Sequence, residues 1–107
     1  MKVIIAVIKP YMLDKLARAL TKAPITGFTV CEARGWGRGD SGESDLLNPR
    51  FRLEIVLLPS NVDAVTKIIL QTVSTHQEGD GIMYVQDVET VVNIRTGAVD
   101  AEALMVK

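Results

Sequence analysis

Val3-Ile4-Ile5-Ala6-Val7-Ile8-Lys9-Pro10 is the stretch on which the fold turns. Apolar residues follow one another without alternation from Val3 to Ile8, the pattern of a β-strand buried on both faces. Lys9-Pro10 ends it, and Pro10 suits the first turn of a helix, where its missing N–H would have no partner anyway. From Tyr11 to Lys22 the residues Leu13, Leu16, Ala17 and Leu20 recur at helical spacing, while Asp14, Lys15 and Arg18 face elsewhere. Pro24 and Gly27 close that helix, and Phe28 to Arg34 predicts a second strand.

Residues 35–49 change composition abruptly to glycine, serine and acids, which predicts an exposed mobile loop. Phe51 to Leu58 resumes strand character. Ser60 opens a second helix, with Asp63 three residues on in a capping-box arrangement, and Val62, Val65, Ile69 and Val73 form its buried stripe. A turn from Thr75 to Gly81 leads to a strand at Ile82–Val85. Val91–Arg95 reads as a last strand segment, and the tail from Thr96 as a short strand or turn.

The order is therefore β-α-β-β-α-β, an α+β ferredoxin-like arrangement with an antiparallel four-stranded sheet and two helices on one face. Two helices cover one face only, yet Val3–Ile8 and Leu53–Leu58 are apolar on both. The open face calls for a cover, either a second copy of the same chain or the tail folded back.

Composition narrows the function classes. A chain of 107 residues with a net charge of −1 is one domain. It lacks the basic stripe that would argue for nucleic acid and the polybasic segment that would argue for anionic lipid. Its apolar runs are too short to span a bilayer, and residues 1–8 enter a strand pattern rather than a signal peptide, so a cytoplasmic location is expected. The single cysteine, Cys31, rules out an intrachain disulfide and reads as a small packing residue. His76, the sole histidine, reads as turn polarity; with Glu78 and Asp80 nearby a metal ligand is the rarer alternative.

Two short glycine-bearing turns carry the chemistry. Gly79-Asp80-Gly81 lets backbone N–H groups approach an anion, and Ile94-Arg95-Thr96-Gly97 brings a planar, permanent cation. Near each other they would suit a nucleotide or another small anion; alone, each is an ordinary tight turn.

Met1-Lys2-Val3-Ile4-Ile5-Ala6-Val7-Ile8-Lys9-Pro10, Gly27-Phe28-Thr29-Val30, Gly35-Trp36-Gly37-Arg38, Glu54-Ile55-Val56, Gly79-Asp80-Gly81 and Ile94-Arg95-Thr96-Gly97 stand in one register from Met1 to about Gly97. Together they resemble the PII signal-transduction family. The resemblance implies a homotrimer with nucleotide sites in the clefts between subunits. It also implies a single domain with a mobile T-loop at 36–50, a B-loop at 75–82, a C-loop at 93–98 and a tail at 99–107. Ile8, Thr29, Glu54 and Val56 fall where the family lines its adenine pocket. Gly35, Gly37 and Arg38 fall at the T-loop base beside the phosphates. Gly79, Asp80 and Gly81 match the B-loop that cradles phosphate oxygens, and Arg95 matches a phosphate-binding arginine from the neighbouring chain. The implied function is regulatory rather than enzymatic: an adenine nucleotide (ADP, AMP or ATP) acts as effector, and the loop touches a partner transporter or metabolic enzyme. A further small anion such as bicarbonate is an effector of some divergent members.

This chain also departs from the family pattern. Ile82 stands where a lysine usually follows Gly-Asp-Gly, Asn93 where a basic residue is frequent, and Gly39 where a glutamine helps hold Mg-ATP and 2-oxoglutarate. With two cations missing, the site is expected to favour ADP or AMP over ATP, or to bind nucleotide weakly. The loop is short and has no tyrosine to uridylylate; Ser41 and Ser44 are its hydroxyl groups. Trp36, Leu46 and Leu47 are its partner-facing candidates, with packing at the cleft mouth the other reading of Trp36. Two other functions stay open: a structural or metal-tolerance trimer resembling the CutA proteins, and an acylphosphatase-like hydrolase built on Asn93 and Arg95.

Overall fold

The structure, a computed structural model, describes residues 1–38 and 47–105. Gly39, Ser41, Ser44 and Leu46 lie outside the described residues. The elements run β1 (Lys2–Ile8), α1 (Leu13–Leu20), β2 (Thr29–Gly35), β3 (Asn48–Leu57), α2 (Val62–Val73) and β4 (Gly81–Asp87). They form one antiparallel sheet in the order β2-β3-β1-β4, the expected βαββαβ topology.

The unbroken apolar run of β1 follows from its place inside the sheet, hydrogen-bonded to β3 on one side and β4 on the other. Alternate residues point to opposite faces. Ile4, Ala6 and Ile8 enter the core with Leu53, Ile55 and Leu57 of β3, Leu16 and Leu20 of α1, and Val65, Ile69 and Val73 of α2. Val3, Ile5 and Val7 point the other way, sharing the open face with their register partners Val56, Glu54 and Arg52 on β3 and Gln86, Tyr84 and Ile82 on β4. That face mixes apolar and charged groups: Arg52 donates from Nη1 to Glu54 Oε1 at 2.5 Å, while Ile82 is 65% exposed.

Each helix opens through a proline-led 3-10 turn, Pro10–Met12 and Pro59–Asn61, which the fixed φ of proline preorganises. Consequently α1 begins at Leu13, two residues later than the apolar spacing predicts. The capping box at Ser60 and Asp63 does not form. Ser60 lies inside the 3-10 turn, and α2 is preceded by Asn61, which makes no side-chain cap. Asn61 instead donates from Nδ2 to Pro24 O at 3.2 Å, tying the start of α2 to the segment after α1.

Two further expectations are corrected. Residues 48–50, read as loop, are strand: Asn48 pairs with Gly35, and Pro49 is tolerated because β3 there runs past the end of β1, whose register stops at Phe51. Val91–Arg95 is not a strand. Its β-formers make one bridge, Val92 with Val99, and the extended conformation is broken by a turn that Asn93 closes with its own side chain.

Candidate functional site

The β4 end of the sheet holds the turn from Thr75 to Gly81. Asp80 organises it. Its carboxylate accepts from Thr75 N at 2.7 Å, Thr75 Oγ1 at 2.5 Å and Gln77 N at 3.3 Å. The Thr75 hydroxyl, then the Thr75 and Gln77 amides and the nearby Lys9 charge, hold the Asp80 carboxyl below its ordinary value. The side chain is thus engaged within the loop.

The sign of the pH effect follows. A depressed folded-state value stabilises the loop above the ordinary carboxylate range and is lost as pH falls through the lowered value. Asp80→Ala is expected to speed amide exchange at Thr75 and Gln77 near neutral pH while leaving the α2 core amides protected. Unchanged exchange at both amides would remove Asp80 as the latch.

Gly79 (φ 87°) and Gly81 (φ 126°) adopt backbone conformations that favour glycine. Gly81 has a second reason: a Cβ there would lie 2.1 Å from the Val7 carbonyl oxygen of β1. The glycines join a cleft of about 360 Å³ that also takes in Gly35, Trp36, Gly37, Arg38, Arg50, Val7 and Ile82. Arg38 sits over the indole of Trp36, its Cζ 4.9 Å from the ring centre. Backbone amides, arginines and a partly apolar wall make a pocket suited to an oxyanion.

Thr29, Glu54 and Val56 line a different cleft, of about 370 Å³, with Gly27, Phe28 and Leu104. From Arg50 in the first cleft to Glu54 in the second is four residues of β3, roughly 13 Å. Ile8 belongs to neither cleft: its side chain is 2% exposed and packed in the core, opposite Gly81. Arg95 lies in neither. It sits on the turn from Asn93 to Gly97, where Asn93 Oδ1 accepts from the amides of Arg95 (3.0 Å) and Thr96 (3.1 Å) and Gly97 takes φ 75°. That carboxamide oxygen is therefore a turn former. Leu47 is 44% exposed, and its carbonyl accepts from Arg34 Nη2 at 3.5 Å.

Arg50 and Val7 line the cleft without being expected there, Arg50 because the composition of 35–49 and the resemblance place it at the end of the loop and Val7 because it reads as strand. The signal for Arg50 is a basic residue directly before Phe51, at the foot of β3.

No helix among the described residues is long and apolar enough to cross a membrane. Residues 1–98 match the family model described as "Nitrogen regulatory protein P-II". The chain is 39% identical to the "Nitrogen regulatory protein P-II" of Pasteurella multocida (strain Pm70), over 97% of this chain and 100% of that one. With the same coverage it is 39% identical to "Nitrogen regulatory protein P-II 1" of Escherichia coli (strain K12) and 37% identical to the P-II protein of Rhizobium meliloti (strain 1021). The fold, the glycine turns in their register and a match over nearly the whole chain agree: the chain belongs to the PII family, whose members are regulatory signal-transduction proteins rather than enzymes.

Proposed function

We propose that the chain is a homotrimeric cytoplasmic regulator that binds an adenine nucleotide between subunits, prefers ADP or AMP to ATP, and acts on a transporter or enzyme through the loop after β2. The observation that carries this reading is the cleft joining Gly35, Gly37 and Arg38 to Gly79 and Gly81. Its glycine backbone and arginines suit phosphate oxygens, while the cleft at Thr29, Glu54 and Val56 offers a partly apolar recess with a carboxylate, suited to a base and ribose. On one chain these are two separate half-sites, roughly 13 Å apart along β3 at their nearest lining residues. Subunits packed through the open sheet face could set the phosphate half of one against the base half of the next, with Arg95 reaching across. The apolar residues Val3, Val7, Val56 and Ile82 on that face supply the reason to associate.

The preference for fewer phosphates rests on Ile82, an exposed apolar residue in the phosphate cleft, and on Asn93, committed to its turn. Calorimetry with AMP, ADP and ATP, with and without Mg²⁺, is the test, alongside light scattering for the assembly. A trimer binding ADP or AMP at least tenfold more tightly than ATP is expected. Tight Mg²⁺-dependent ATP binding would overturn the preference, and a stable monomer without nucleotide affinity would overturn the composite site. The Asn93 carboxamide oxygen, bonded to two backbone amides, speaks against the hydrolase reading, and the family match favours nucleotide signalling over a CutA-like trimer.

A further inference from the structure

We infer that Trp36 is the positioning residue for the phosphate-facing arginine: its indole holds the Arg38 guanidinium in the cleft before any ligand arrives. The inference rests on the nucleotide reading above and adds to it a residue so far counted as a partner anchor or as packing.

Trp36 is 51% exposed, so core packing does not explain where it lies. It stands between Gly35 and Gly37. What the ring does touch is the guanidinium two residues on, at 4.9 Å from the ring centre. Both side chains line the cleft that holds Gly79 and Gly81.

A guanidinium over an indole face is attracted by the ring quadrupole. Arginine carries five N–H donors, more than one ring face can engage, so donors remain for phosphate oxygens. An unstacked arginine at a loop base would lose rotamer freedom on binding an anion. An arginine already held against an indole has lost much of it beforehand, and binding is tighter by that difference.

The test combines calorimetry with ADP and the emission of the sole tryptophan, on the parent, Trp36→Leu, Trp36→Phe, Arg38→Met and the Trp36→Leu/Arg38→Met double variant. Trp36→Leu is expected to weaken ADP binding roughly two- to fivefold, the worth of an exposed cation–π contact. Trp36→Phe, which keeps an aromatic face, restores most of that loss. In the Arg38→Met background the Trp36→Leu change has no further effect on ADP affinity, and Arg38→Met alone alters Trp36 emission in the ligand-free protein.

Equal ADP affinity in the parent and Trp36→Leu overturns the inference. So does a Trp36→Leu loss that persists undiminished in the Arg38→Met background, or Trp36 emission that Arg38→Met leaves unchanged. A parent trimer that binds no ADP at all overturns the nucleotide reading itself, a result distinct from any of these.

Discussion

Gly81→Ala is expected to destabilise the protein by about 3–5 kcal/mol, a large part of the roughly 5–15 kcal/mol that holds a domain together. Two effects add. At φ 126° an L side chain is strained whatever the surrounding space, and the new methyl would sit 2.1 Å from the Val7 carbonyl oxygen. That oxygen belongs to the backbone of the central strand, hydrogen-bonded on both sides, so it cannot step aside as a flexible side chain would. Relief comes from β4 peeling away from β1 at its first residues, which opens the cleft at Gly79 and Gly81 as well as the sheet.

Gly97→Ala and Gly35→Ala separate the two effects. Gly97 has φ 75° but open space around its Cβ position, so Gly97→Ala should lose only about 1–2 kcal/mol. Gly35 has open space and no positive φ, and Gly35→Ala should stay within about 0.5 kcal/mol of the parent. Chemical denaturation of the three variants at one protein concentration reads the series. A Gly81→Ala protein within about 1 kcal/mol of its parent would mean that the two strands do not approach as described.

This close approach marks the limit of what the chain discloses by itself. Local signals were legible: Ile4, Ala6 and Ile8 of the β1 run, the stripe of Leu16 and Leu20, and that of Val65, Ile69 and Val73 all reach the core. The Gly-Asp-Gly turn was legible as a turn, but the demand on its second glycine comes from Val7, 74 positions away by the numbering of the sequence, through a register that no local pattern encodes. Capping was misread because Ser60 and Asp63 fit a box while Pro59 favours the 3-10 turn that displaces it. The candidate site was legible in pieces. Ile8, Thr29, Glu54 and Val56 fell together by resemblance, yet on this chain Ile8 packs into the core while the others line a separate cleft. A strand pattern shows that side chains alternate. Which face meets a ligand depends on long-range pairing, and for a site shared between subunits on packing outside the single chain.

Ile82→Lys is expected to tighten ATP binding about tenfold or more, reversing the proposed preference for ADP and AMP. Ile82 is the second residue of β4, follows Gly81, pairs in register with Val7 on the open face and is 65% exposed in the phosphate cleft. Removing so exposed an isoleucine leaves no cavity, and a lysine there can extend its ammonium along the cleft that already holds Arg38 and Arg50. A hydrogen bond to a charged group contributes about 1.5–3 kcal/mol, which corresponds to roughly ten- to a hundredfold in affinity. If position 82 faces the outer phosphates, as proposed, the gain grows with phosphate number, smallest for AMP and largest for ATP. It should also shrink as salt rises, since this is an attraction between partly exposed charges. Calorimetry with the three nucleotides at two ionic strengths separates this from a general effect. An equal gain for all three would show that position 82 faces the nucleotide elsewhere than at its outer phosphates. An unchanged ATP affinity would mean that the missing lysine is not what sets the preference, leaving the turn at Asn93 as the origin.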